Sequence, residues 1–112
     1  MGKLIVKEAD VQRQILGWLK YQRKDVPMFW RNNTGAIRMD KRFIRFGAVG
    51  SSDILGVMKD GRFLAIEVKS AKGRLTKHQK AFIDGINDAG GVAFVARSIE
   101  DVAIGLRIHR RE

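Results

Sequence analysis

The sequence predicts an α/β domain in which helices pack against a mixed β-sheet, and three observations carry that prediction. Val11, Ile15 and Leu19 recur at four-residue steps, the buried stripe of an amphipathic helix. Two apolar strand patterns, 53–58 and 62–69, are joined by Lys59-Asp60-Gly61, a hairpin signal. A helix pattern at 77–89 then leads to Val92-Ala93-Phe94-Val95-Ala96, a continuous apolar run of the kind found in buried strands. The order is helix, strand, two paired strands, helix, strand and a last short helix, an αβββαβ core within one domain spanning 1–112, without repeats or linkers.

Each element has a local cause. The first helical pattern covers 8–22, and Pro27 ends any helix because it lacks an amide hydrogen and pushes Val26 into extended geometry. Met28-Phe29-Trp30-Arg31 reads as a short strand that breaks at the turn formers Asn32-Asn33-Thr34-Gly35. Between 36 and 46, Arg38, Lys41, Arg42 and Arg45 are interleaved with Ile37, Phe43, Ile44 and Phe46, which suits an extended basic arm or ribbon. The glycine-bearing loop 47–52 precedes the hairpin, and a second turn follows it at 71–74. Thr76-x-x-Gln79 is a capping box that starts a helix at Lys77, and Gly90-Gly91 stops it. Ser98 caps the last helix, from 99 to about 106. Trp18, Trp30, Phe82 and Phe94 read as core, and Arg107, Arg110 and Arg111 as a solvated tail.

Composition narrows the chemistry. The 112 residues carry 22 Lys or Arg against 12 Asp or Glu, a net charge of +10, which points to a polyanionic partner, nucleic acid first. With 45% apolar residues the chain folds rather than remaining a basic tail, although at this length the core is thin and a dimer would help it. The absence of cysteine removes disulfides, thiolate zinc sites, iron–sulfur clusters and cysteine nucleophiles. His78 and His109 are too few for a zinc cage, so any metal must rest on carboxylates, which favours magnesium or manganese. Leu4-Ile5-Val6 is far short of a signal peptide or membrane span, and Val6 argues against myristoylation at Gly2. An intracellular protein without a membrane partner is expected.

The hairpin holds the informative geometry. A three-residue loop with Gly61 left-handed places Asp53 opposite Glu67, and Lys69, two residues on, points to the same face. A two-residue turn would instead set Asp53 opposite Val68 and break the cluster. Taken blandly, Glu67 and Lys69 are an exposed polar row and Asp53 caps a loop. Yet two close carboxylates repel one another and a phosphodiester alike, so a basic protein that builds such a pair suits a divalent cation between them. Such a cation could polarise a phosphoryl oxygen and acidify a bound water while Lys69 orients the nucleophile or offsets developing charge.

Three further groups keep two readings. Glu8 either points from the end of the apolar stripe toward the sheet or is a first-turn acid favoured by the helix dipole. Gln79 closes the capping box or turns toward the metal site. Lys72, Arg74, Lys77 and Lys80 rim the site for phosphate contacts or are solvated surface lysines and arginines; Arg38, Lys41, Arg42 and Arg45 form the second candidate patch.

Asp53 followed by Glu67-Val68-Lys69 resembles the PD-(D/E)xK nuclease signature. The whole chain resembles a stand-alone VRR-NUC (virus-type replication-repair nuclease) domain, through Glu8, Gly50-Ser51-Ser52-Asp53, Glu67-Val68-Lys69, and Leu75-Thr76 with Gln79. The resemblance implies a restriction-endonuclease-like fold and a magnesium-dependent, structure-specific endonuclease for branched DNA, similar to Holliday-junction resolvases, working as a homodimer and compatible with a phage origin. It implies Asp53, Glu67 and the Val68 carbonyl as metal ligands, with Mn2+ able to replace Mg2+, and Lys69 as the catalytic lysine. Glu8 and Gln79 join the catalytic set. Ser52 stands where the wider superfamily often has Pro, a change that could loosen the loop. The alternative is a non-catalytic basic nucleic-acid-binding module whose carboxylates are structural; a ribosome-associated protein ranks last, because it leaves the carboxylate pair without a purpose.

Overall fold

Nine elements run in the order α1 (Glu8–Leu19), β1 (Met28–Arg31), β2 (Gly35–Met39), β3 (Arg42–Phe46), β4 (Ile54–Val57), β5 (Phe63–Val68), α2 (Lys77–Asp88), β6 (Val92–Ala96) and α3 (Ile99–Ile108) among the described residues. The computed structural model describes residues 7–33 and 35–111, leaving aside the side chains of 35–38 and 43–46. Leu4-Ile5-Val6, Thr34 and Glu112 lie outside the described residues.

The four-stranded sheet has the order β1-β4-β5-β6, antiparallel except for the parallel β5–β6 pair. Parallel strands need a crossover, and α2 supplies it. The sheet is therefore mixed and flanked by helices, compatible with a restriction-endonuclease-like fold. Ile54, Leu64, Ile66, Val68, Val92 and Ala96 pack with α1 and α3 through Val11, Ile15, Leu19, Val102 and Leu106. Ala65, Ala93, Leu55 and Val95 face the other way and pack under Ile83, Phe82 and Ile86 of α2. Burial on both faces explains the continuous apolar run of β6.

The hairpin closes as its turn chemistry demands. Met58 N–H donates to the Arg62 carbonyl at 2.8 Å and Gly61 N–H to the Met58 carbonyl at 2.9 Å. Gly61 takes φ 92°, a conformation that L side chains avoid. The loop is thus three residues long, and Ile54 pairs with Ile66, Leu55 with Ala65 and Val57 with Phe63.

Both later helices begin at the expected caps. Thr76 and Gln79 form the reciprocal capping box, and the Ser98 hydroxyl accepts from Asp101 N–H at 3.1 Å. Gly90, at φ 94°, terminates α2. Two helix boundaries differ from expectation by more than one residue. Helix α1 stops at Leu19, where Tyr21 and Gln22 turn back onto the Trp18 and Leu19 carbonyls, and α3 runs two residues past 106 to Ile108.

One core assignment is corrected. Trp30 lies on β1, an edge strand, and is 42% exposed rather than buried, because no helix covers that end of the α2 face. Trp18, Phe82 and Phe94 are partly buried against the two cores.

Residues 36–46 form the expected ribbon, β2 paired with β3 in a separate two-stranded sheet. Among the described residues no helix is long and apolar enough to cross a membrane.

The turn assigns Gly61 a conformational role and leaves Gly85, on the exposed side of α2, without one, since a Cβ at either position would meet no atom within 4 Å. Gly61→Ala is expected to lose about 1–2 kcal/mol in urea unfolding. Gly85→Ala should gain about 0.5–1 kcal/mol. Equal midpoints for the two variants would sink the role given to Gly61.

Candidate active site

With Ile54 opposite Ile66, the next position outward sets Asp53 beside Glu67, the arrangement that the three-residue loop requires. Strand β4 has ended there, and the Asp53 side chain takes over its ladder: Oδ2 accepts from the Val68 N–H at 2.8 Å. Glu67 is 1% exposed and Lys69 7%. The Lys69 Nζ lies 3.9 Å from Glu67 Oε1, an ion pair too long for a hydrogen bond. The polar-row reading is therefore excluded for these two residues; they are buried.

Burial pushes the Glu67 carboxyl up to about 8, and the charge of Asp53 and a hydrogen bond shared with it push the same way. Lys69 pulls it down, and Glu8 adds a last upward push. Glu8 is exposed in the first turn of α1, and its charge reaches Glu67.

One oxygen of this cluster stands out. Glu67 Oε2 is buried and accepts no hydrogen bond among the described residues. An unpaired buried carboxylate oxygen beside a second carboxylate is costly, and a hard divalent cation is the group that relieves both terms. No group of three or more His, Asp or Glu converges among the described residues, so the donors present are two carboxylates and backbone. That set suits an ion such as magnesium, which keeps most of its waters. The Val68 carbonyl faces the same side of β5 as its N–H, toward Asp53, as strand geometry requires.

Gln79 is engaged in the capping box: Thr76 N–H donates to its Oε1 at 3.0 Å, and its N–H donates to Thr76 Oγ1 at 3.1 Å. Lys72, Arg74, Lys77 and Lys80 are all exposed. Lys80 is paired with Asp84 at 2.7 Å, whereas the other three have no ion pair among the described residues. Lys41 and Arg42 are exposed at the ribbon tip; the side chains of Arg38 and Arg45 lie outside the description.

The loop carrying Asp53 is held by a residue that the sequence presented only as a turn former. Asn32 Nδ2 donates to Ser51 Oγ at 2.7 Å and to the Ser52 carbonyl at 3.0 Å, and its N–H donates to the Asp53 carbonyl at 2.7 Å. On the other side Gly50, at φ 77°, lies so close to α2 that a Cβ would stand 2.4 Å from the His78 carbonyl. These contacts fasten the loop despite Ser52, which is fully buried and whose hydroxyl has no partner. The only sequence signal for Asn32 was its place just after a strand, and its use depends on the distant β1–β4 pairing.

A cavity of about 510 Å3 lined by Asp25, Lys59, Arg62 and Arg110 lies at the hairpin-loop end of the sheet, away from the carboxylates. Compared with known proteins, residues 5–100 match the VRR-NUC domain family. No curated protein matches the chain.

The raised carboxyl has a consequence for stability in metal-free buffer. The unfolded chain ionises Glu67 near 4.5 and the folded chain near 8, so folding becomes less favourable as pH rises between those values. Glu67→Gln keeps the shape without the charge. In EDTA it should be more stable than the parent at pH 8, and the difference should shrink toward pH 4.5; a pH-independent difference in urea midpoints would contradict the buried, uncompensated carboxylate.

Proposed function

The chain belongs to the VRR-NUC family of nucleases, and from the pairing of half-buried Asp53 with buried Glu67 we propose that it is a magnesium-dependent, structure-specific endonuclease that hydrolyses phosphodiester bonds in branched DNA, as Holliday-junction resolvases do. The carrying observation is Glu67 Oε2, buried beside a second carboxylate and accepting no hydrogen bond among the described residues.

Asp53, Glu67 and the Val68 carbonyl would hold the ion, which supplies Lewis-acid activation of the phosphodiester and its attacking water. The protein's own groups do the rest. Asp53 is oriented by the Val68 N–H, so its carboxylate cannot rotate away when a polyanion approaches. Lys69, whose ammonium is close to Glu67 but not bound to it, is free to orient a nucleophile or to offset charge developing on phosphorus. Lys72, Arg74 and Lys77, exposed and unpaired among the described residues, line the approach from the following turn and helix, where duplex phosphates would meet them. Lys41 and Arg42 extend the cationic surface on a ribbon rooted at Asn32 and Gly47, beside the loop that carries Asp53.

The working form is a homodimer. Two strands must be cut to resolve a junction, the core of one copy is thin, and Met28 and Trp30 leave apolar surface on the edge strand β1.

Incubation with labelled four-way junctions, flaps and linear duplex tests the reading. Cutting should require Mg2+ or Mn2+, stop in EDTA and favour branched substrates. Glu67→Ala and Lys69→Ala should each lose at least about 10²–10³-fold in rate while still binding DNA in metal-free buffer. A variant that cuts at the parent rate would refute the assignment, and salt-sensitive binding without scission on every substrate would favour a non-catalytic module. Solution scattering at micromolar concentration should report a dimer; a monomer both with and without DNA would remove that part of the proposal.

A further inference from the structure

The ammonium of Lys69 has no hydrogen bond among the described residues, and its nearest charge is 3.9 Å away. Something other than its own polar contacts must therefore hold a long, flexible side chain in a buried position. Its backbone is fixed, since Lys69 N–H donates to the Ala96 carbonyl of β6 at 3.0 Å. Its methylene stem is covered by the turn that follows. Gly73 N–H donates to the Ser70 carbonyl at 3.1 Å, folding the chain back. A Cβ on Gly73 would stand 3.3 Å from Lys69 Cδ, so the glycine backbone lies directly against the stem.

That turn is clamped by one residue. Arg97, just beyond the end of β6, donates from one terminal nitrogen to the Ser70 carbonyl and to the Gly73 carbonyl, the latter at 2.8 Å. Its own backbone is held by Asp101, whose Oδ2 accepts from the Arg97 N–H at 2.8 Å. We propose that Arg97 is a positioning residue for Lys69: its guanidinium clamps the Ser70–Gly73 turn, and the turn confines the lysine's stem so that the ammonium stays at the carboxylates. Arg97 needs no contact with DNA in this role. As a statement about rate it rests on the nuclease reading; as a statement about where Lys69 is held it does not.

The test has two readouts. The first is made on metal-free protein by NMR, following the ε-methylene protons of Lys69, assigned by their loss in Lys69→Met. A confined stem gives two resolved shifts in the parent, and Arg97→Ala should merge them. The second is cleavage of the labelled four-way junction in Mg2+. Arg97→Ala should lower kcat by up to about a hundredfold, the scale of an ångström-sized misplacement, with KM changed less than kcat, and Arg97→Lys should recover part of the loss. Resolved Lys69 shifts with parental kcat in folded Arg97→Ala would overturn the proposal, as would a rise in KM alone, which would make Arg97 a phosphate contact. Should Arg97→Ala not fold, Gly73→Ala takes its place: it keeps the guanidinium, crowds Lys69 Cδ and should disturb the same protons, and parental shifts and kcat there would overturn the proposal. Mobilised Lys69 in a protein whose parent cuts no substrate would support the positioning role and refute the nuclease reading.

Discussion

The site depends on the register of one hairpin. Side chains alternate along a strand, so a slip of one residue between β4 and β5 would carry Asp53 to the opposite face from Glu67 and Lys69. The three-residue loop ending in Gly61 prevents that slip locally, and the apolar sets enforce it globally, since Ile54 and Ile66 must face α1 and α3 while Leu55 and Ala65 face α2. Asp53 and Glu67 share the parity of Leu55 and Ala65. The carboxylates therefore fall on the α2 side of the sheet, where the close approach of Gly50 to His78 brings their loop against the first turn of that helix.

Placing two carboxylates and an ammonium there works against stability. Lys69 offsets part of the charge, but not enough to keep Glu67 in the ordinary carboxylate range, and the 3.9 Å separation leaves both groups short of a hydrogen bond. The rest of the fold follows local rules closely, with capped α2 and α3, a well-formed turn and a two-sided apolar core. A concentration of costly polar groups in one place, within an otherwise consistent chain, marks a candidate for function.

What was legible in the sequence was what short stretches of chain decide alone. Turn length at Gly61, the caps at Thr76 and Ser98, and the alternation that predicts the ribbon all act within a few residues, and the structure reproduces them. The pairing of Asp53 with Glu67 was legible for the same reason, since a hairpin makes a long-range contact out of a local turn. Asn32 and Arg97 were not legible. Their hydrogen bonds cross to residues 19–27 positions away, through the β1–β4 pairing and the end of β6, and neither residue type signals such a use. Trp30 was misplaced because its apolar character is visible in sequence, whereas its position on an uncovered edge is a property of the whole sheet.

Asp53, Glu67, Asn32 and Arg97 gather around one structural event, the end of β4 while β5 continues. Val68 has lost the neighbour that would complete its ladder, and an unpaired backbone group there would be costly if the gap were closed to solvent and ligand alike. Asp53 satisfies the N–H with a side chain, which leaves the carbonyl on the same side open. On the opposite side of β5 the parallel strand β6 still pairs, holding Lys69 through Ala96, and the residue after Ala96 is the arginine that clamps the following turn. The difference in length between neighbouring strands thus does two things: it opens a place at the carboxylates on one side of β5 and keeps the lysine anchored on the other. A β4 matched in length to β5 would pair the Val68 backbone and leave no such place. The shortness of β4, which starts only after Asp53, is what gives this hairpin its candidate site.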